Sequence, residues 1–403
     1  FAMLSFDEAA DLLRQSVPSM REMADVPTLE AAGRVLAVAQ RAGINVPPQD
    51  NSAMDGYAVA VANCSAAETR LPVAQIIPAG RVGEPLTPGT AARIFTGGVI
   101  PAGADAVVMQ ENCQANDGFV VIGHPPRVGE HVRRAGSDIV VGSEILAAGQ
   151  RLRPQDTAFA ASVGLASLPV FRRLRVAVFF TGDELRMPGE PLPPGAIYNT
   201  NRFLLGALLQ RLGCTVVDLG QVPDDLAATR QVLRRAAEDC NLIISSGGVS
   251  VGDEDHVKAA VSAEGRIDLW KIAIKPGKPL AFGQIRASAQ EVPFIGLPGN
   301  PVSGLVTFLT LVRPAILSMQ GVRYAPPQPY LLRAEFDWPR PDARREFLRA
   351  RRTADGGVAL FTDQGASILR SAVWSDGLLD NPPRQVIQRG DLVRYLPFAE
   401  LLD

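Results

Sequence analysis

The sequence predicts a multidomain α/β protein. A central, mostly parallel three-layer α/β domain is joined by N-terminal mixed and β-rich domains and by a C-terminal small β-barrel domain. Three observations predict it. Between residues 175 and 319, apolar strands alternate with helical patterns, which implies parallel pairing with crossovers. Residues 45–140 carry short β-rich runs between Gly/Pro turns. Beyond Tyr324-Ala325-Pro326-Pro327, a linker by composition, short strand patterns resume. The 403 residues suffice for two to four domains of roughly 150 residues each.

In chain order, Ser5-Phe6-Asp7-Glu8 has the capping-box pattern and opens a helix. Thr28 is expected to cap a second helix through about Ala39, which Pro47, Pro48 and Asn51 follow. Ala92–Phe95, Ala106–Met109 and Phe119–Ile122 read as strands of an inserted β region. Arg175–Thr181 is an apolar strand. A helix from about Thr200 carries Leu204, Leu205, Leu208, Leu209 and Leu212 on one face, with Gly213 as its stop. Thr215–Leu219 and Leu242–Ser245 are strands, with Asp224 and Asp255 each opening a helix. Leu269–Ile274, Leu280–Ile285 and Pro293–Leu297 are strands, and Val302–Met319 is a long helix. The domains expected are 1–44 with 140–174 (N-terminal), 45–139 (inserted, β-rich), 175–323 (α/β) and 324–403 (C-terminal β).

Composition bounds the function. Lys+Arg 40 against Asp+Glu 42 gives a net charge of −2, which argues against non-specific nucleic-acid or membrane binding driven by overall charge and leaves a local patch open. Six arginines lie between 340 and 352 without an aromatic run, which reads as an exposed strand face with one or two arginines reaching an anion. Four unpaired-looking cysteines and three histidines leave little for a Cys/His zinc site and point to a reducing cytoplasm. No apolar run reaches the roughly 18 residues of a membrane span.

In open α/β sheets, ligands bind beyond the carboxyl ends of the strands. Those ends carry Thr181-Gly182-Asp183-Glu184, Asp224-Asp225, Ser246-Gly247-Gly248-Val249-Ser250-Val251-Gly252-Asp253, Lys275-Pro276-Gly277-Lys278 and Leu297-Pro298-Gly299-Asn300-Pro301. Glycines admit an anion to backbone N–H groups, lysines add point charge, and carboxylates suit a hard cation. Neither phosphate-binding fingerprint, G-x-x-x-x-G-K-[ST] or G-x-G-x-x-G, is present. Gly248-Val249-Ser250-Val251-Gly252 matches G-x-S-x-G. A serine hydrolase of that kind needs its acid and then its histidine downstream, and His256 alone follows, six residues on.

Together these segments resemble one family. Asn51-Ser52-Ala53-Met54-Asp55-Gly56-Tyr57-Ala58, Phe95-Thr96-Gly97-Gly98 with Pro101, Gly103, Ala104 and Asp105, and Arg133, Arg134, Gly136 and Asp138 are similar to its signatures. Thr181–Leu185, Ser246–Gly252, Lys275–Pro279 and Gly296–Pro301 complete the series in order. The family is MoeA, the molybdopterin molybdenumtransferases, which includes the gephyrin E domain. The resemblance runs from about residue 5 to the end. It departs at Gly98-Val99 and at Asp376 in the segment Trp374–Leu378.

The resemblance implies insertion of molybdate into adenylylated molybdopterin with release of AMP and a requirement for Mg²⁺. It implies a MogA-like molybdopterin-binding fold for the central domain and a homodimer whose active site lies between the α/β domain of one subunit and the N-terminal region of the other. Molybdopterin adenylyltransferase and molybdoenzymes are the implied partners, with no nucleic acid and no membrane. Asp55 and Glu184 are expected nearest the metal, with Thr96, Asp138, Asp255 and Lys275 in the chemistry. Gly247, Gly248, Ser250, Gly252, Asp224, Lys271, Lys278, Pro298, Pro301, Arg133, Arg345 and Ser367 are expected to bind the substrate. Read alone, several have simpler roles. Asp55-Gly56 is a turn, Asp224 and Asp255 are helix caps, Lys271 is a solvated strand position, and Arg133 and Asp138 are a salt bridge. Two other functions remain open at this point: a gephyrin-like scaffold with weak catalysis, and molybdopterin adenylyltransferase.

Overall fold

The computed structural model describes residues 3–248, 256–277, 279–288 and 290–402. Its centre is a seven-stranded sheet of β1 (Met3–Leu4), β2 (Arg175–Thr181), β3 (Thr215–Val222), β4 (Leu242–Ser246), β5 (Gly265–Ile272), β6 (Pro279–Arg286) and β7 (Glu291–Leu297), in the order β1-β5-β6-β7-β4-β2-β3. The pairs β7–β4, β4–β2, β2–β3 and β1–β5 are parallel. Strand β6 runs antiparallel to both its neighbours, so the sheet is mixed at one side.

Both faces of this sheet are covered, which is why β2 is apolar without alternation from Val176 to Phe180. Val176, Val178 and Phe180 enter one core with α1 (Phe6–Gln15), α2 (Thr200–Arg211) and the 19-residue helix α5 (Pro301–Met319). Ala177 and Phe179 enter the other with α3 (Leu226–Asp239) and α4 (His256–Glu264). Helix α5 has a mean hydropathy of 1.6 and would pass for a membrane span by length and composition, which the sequence reading missed. It is 94% buried within the protein, as a core helix is.

The expected capping box opens α1, with Ser5 Oγ accepting from Glu8 N and Ser5 N donating to the Glu8 carboxylate. This helix packs on α5, and Met3–Leu4 join the central sheet, although sequence reasoning placed both in the N-terminal domain. The helix expected from Thr28 to Ala39 does not form. Met23–Pro27 pairs with Ser167–Phe171, only Thr28–Glu30 makes a helical turn, and the Thr28 hydroxyl donates to Leu165 O at 2.6 Å. Tertiary strand pairing overrides the local capping signal there. Residues 56–122 form a six-stranded sheet around Tyr57, Val59, Leu71, Val108, Val120 and Ile122.

In the C-terminal region, Arg345–Arg352 pairs with Gly377–Asn381, which pairs with Leu392–Pro397 and through it with Tyr330–Arg333. A bridge between Ala334 and Val358 then closes the circuit back to Arg345–Arg352 through Val358–Leu360. The arginines here divide: Arg340, Arg351 and Arg352 are exposed as expected, whereas Arg344 and Arg345 are half-buried. Arg349 is fully buried, and Arg345 is held by Asp380, with Nε and Nη2 at 2.6 and 2.7 Å, and by Asp7 at 3.0 Å. Asp380, 1% exposed, also pairs with Arg394 at 3.1 Å. This cluster ties the first helix to the C-terminal domain. Asp380→Asn leaves two guanidinium groups short of a buried partner, and a loss of about 3 kcal/mol in unfolding free energy is expected. Denaturant unfolding checks it, and an unchanged transition contradicts it.

Candidate active site

The parallel strands β2, β4 and β7 end level with one another, and Phe180, Ser246 and Leu297 are register partners. Beyond these ends lies a cleft of about 840 Å³, within the size range of small-molecule sites. Its floor is Thr181-Gly182, Ser246-Gly247-Gly248 and Pro298-Gly299-Asn300-Pro301. Two helix N-termini open on it, at Thr200-Asn201 and at Pro301–Ser303, and both favour an anion. Gly247 has φ +95, and a Cβ there would sit 2.7 Å from Thr181 O, so only glycine lets the strand end turn this closely.

Of the residues expected in the site, Glu184, Asp224, Lys275, Gly247, Gly248, Pro298 and Pro301 line this cleft. Asp224 is not a helix cap. Its neighbour Asp225 caps α3 by accepting from Ala228 N at 2.8 Å, which leaves the Asp224 carboxylate to the cleft. Glu184 folds its carboxylate against Gly182, where a Cβ would lie 2.4 Å from Oε2. Asn201 Nδ2 donates to Ser246 Oγ and Gly299 O, while its buried Oδ1 has no partner among the described residues and can take a donor. Ser250, Gly252, Asp255 and Lys278 lie outside the described residues.

Three expectations are corrected. Arg345 faces the Asp380 cluster described above, and the adjacent Arg344 lines the cleft instead. The cause is strand alternation, which sends successive side chains to opposite faces. Ser367 is exposed outside the lining, and Gln364, Gly365 and Ala366 take that wall. Lys271 is an exposed position of β5, paired with Met3 and Pro279, and does not reach the cleft. Sequence reasoning missed Arg344 and the buried Arg349 that braces this wall. Arg349 donates to Ser371 Oγ and to Gly365 O, and burial pushes its guanidinium down to about 10.

Asp55, Thr96, Arg133 and Asp138 belong to the N-terminal half and do not line the cleft. Asp55 Oδ1 accepts from both Thr96 N and Thr96 Oγ1 at 2.7 Å. These two hydrogen bonds, the backbone one first, hold its carboxyl below the ordinary value, and Arg93 adds to the effect. Arg93 lies between the rings of Tyr57 and Phe95, 5.1 and 4.9 Å from their centroids, and is another residue that sequence reasoning missed. Arg133 and Asp138 are exposed, and among the described residues no ion pair joins them.

Among the described residues no three His, Cys, Asp or Glu side chains gather as a metal site. Asp55 and Glu184, expected to share a metal, stand in separate places within one chain. Glu184 and Asp224 both line the cleft and are exposed, and carboxylates are the donors that magnesium takes, one or two together with substrate phosphates. Removing the Thr96 hydroxyl with Thr96→Val is expected to raise the Asp55 pKa towards the ordinary carboxylate value while the backbone contact remains. A carboxyl-carbon NMR titration reads this, and an unmoved midpoint contradicts it.

Comparison with known proteins matches the chain to three family models in sequence. These are the MoeA N-terminal region (domain I and II) over residues 4–164, a probable molybdopterin binding domain over 177–318, and the MoeA C-terminal region (domain IV) over 332–398. The molybdopterin molybdenumtransferase of Haemophilus influenzae is 37% identical over 99% of this chain and 100% of its own length. Molybdopterin molybdenumtransferase 2 of Mycobacterium tuberculosis is 40% identical over 89% of this chain and 90% of its own. The crystal structure of the molybdopterin biosynthesis moeA protein from Pyrococcus horikoshii superposes with a TM-score of 0.84 at 28% identity, covering 98% of this chain and 99% of that one. With an end-to-end match to such relatives and all three regions in order, the chain belongs to the MoeA family.

Proposed function

We propose that the protein is a molybdopterin molybdenumtransferase of molybdenum cofactor biosynthesis, which inserts molybdate into adenylylated molybdopterin and releases AMP. The observation that carries this reading is the make-up of the cleft. Two helix N-termini, the Lys275 ammonium and the Arg344 guanidinium meet at one edge with the carboxylates of Glu184 and Asp224. A pyrophosphate-bridged substrate and a tetrahedral dianion both need such donors. Lys275 and Arg344 would hold oxyanion charge, and the helix N-termini would orient the phosphates. Asn201 Oδ1 would accept from an amino or hydroxyl group of the bound substrate. Glu184 and Asp224 would hold a magnesium ion, which when bound offsets charge on the pyrophosphate and favours AMP as leaving group.

The proposal extends to a homodimer in which the Asp55–Thr96 patch of one subunit completes the cleft of the other. Support comes from the placement of that patch outside its own chain's cleft, with Arg133 and Asp138 exposed and in no ion pair among the described residues. Molybdopterin adenylyltransferase would supply the substrate and molybdoenzymes would receive the product, in the cytoplasm.

AMP release from adenylylated molybdopterin, with molybdate and magnesium present, tests the reading. Glu184→Gln and Lys275→Met are each expected to lower the rate by about a hundredfold or more. Variants at the wild-type rate contradict it, and formation of adenylylated pterin from ATP identifies the adenylyltransferase instead. Mixing inactive Asp55→Ala subunits with inactive Glu184→Gln subunits is expected to restore about a quarter of wild-type activity if sites are shared across a two-fold axis. No recovery on mixing contradicts the shared site.

A further inference from the structure

The segment that carries the cleft lysine belongs to two sheets. Lys271–Ile272 pairs with Met3–Leu4 in the central sheet. Two residues on, Ile274–Lys275 pairs in parallel with Arg345–Glu346 of the C-terminal domain, and Arg345 N donates to Ala273 O at 2.9 Å. Lys275 is thus registered on the C-terminal domain while it faces the cleft of the central one.

Its ammonium stands 3.4 Å from Glu346 Oε1 and 3.4 Å from Asp342 Oδ2. Glu346 is 0% exposed, whereas the Lys275 side chain is 42% exposed. Glu346 Oε2 accepts from Trp338 Nε1 at 2.8 Å and from Asn381 Nδ2 at 3.3 Å. Among the described residues its Oε1 has no hydrogen bond, and it meets the lysine as an ion pair. A buried carboxylate with one oxygen left over is costly unless a cation faces it. Asp342 takes Arg344 through Nε and Nη2, both at 2.9 Å, and this pairing holds its carboxyl well below the usual carboxylate range. Among the described residues, two cations at the cleft are therefore matched by two carboxylates behind them.

We propose that Glu346, with Asp342, is a built-in counter-charge of the cleft. The pair holds Lys275 and Arg344 in position when the cleft is empty. It also sets how loosely a tetrahedral oxyanion is held when the cleft is filled, because the anion meets cations that are already compensated. Glu346 is a positioning residue that acts through Lys275 and touches no substrate. The inference rests on the reading of the cleft as an oxyanion site.

Calorimetric titration of the full chain with inorganic molybdate tests it. Glu346→Gln keeps the shape and the acceptor for Trp338 while removing the charge. It is expected to bind molybdate about tenfold more tightly than wild type. Asp342→Asn is expected to shift binding in the same direction, and it keeps the test available should the buried variant misfold. In a Lys275→Met background the gain from Glu346→Gln should shrink to less than about threefold, because the coupling runs through the lysine. In turnover, KM for molybdate should fall with no rise in kcat. A merely structural glutamate gives weaker or equal binding, and that result in both carboxylate variants overturns the proposal, as does an absence of binding in every protein. Tighter binding without any AMP release keeps the counter-charge and removes the proposed reaction. AMP release without tightening does the reverse.

Discussion

Parallel pairing of β2, β4 and β7 is the constraint from which the rest of the molecule follows. Parallel strands cannot be joined by hairpins, so each must leave the sheet at its carboxyl end and return through a crossover. With Phe180, Ser246 and Leu297 in register, three departures fall at one level. Loops that turn tightly there need glycine and proline, and the helices that follow bring their N-termini to the same edge. The cleft is a consequence of sheet geometry, and helix N-termini, which in general favour an anion, face it before any charged side chain is added.

The C-terminal domain supplies what this edge lacks. It contributes Arg344 and the wall Gln364–Ala366, and it fixes Lys275 by pairing with Ile274–Lys275. Burying Arg349 behind that wall, and Asp380 between Arg345 and Arg394, makes this domain a rigid frame for the cleft. The apolar core that includes Phe347, Leu378 and Leu396 is continuous with that of the central sheet. A cleft shared by two domains can hold its cations in place before substrate arrives, which lowers the ordering cost of binding.

Much of this was legible in the sequence because its cause is local. The run of strands and helices from 175 to 319, the capping box at Ser5 and the Gly/Pro loops at the strand ends all declare themselves in periodicity or turn chemistry. Family resemblance pointed to the N-terminal patch, where Asp55 and Thr96 do meet. What stayed hidden depends on register. Arg344 and Arg345 are neighbours with opposite faces, and nothing local says which faces the cleft. Asp224 and Asp225 are equivalent as caps until one residue of helix phase decides between them. Arg93 becomes visible only when Tyr57 is known to be its cross-strand partner. At Thr28 a sound capping signal lost to pairing with residues 167–171, far along the chain.

The most direct measurement on the central claim is the position of molybdenum in a crystal soaked with molybdate and AMP, located by anomalous scattering at the molybdenum edge. The predicted result is a peak inside the cleft, in front of Lys275 and Arg344 and within reach of Gly248 and Pro301. A peak confined to other surfaces, with the cleft holding neither molybdenum nor nucleotide, would contradict it.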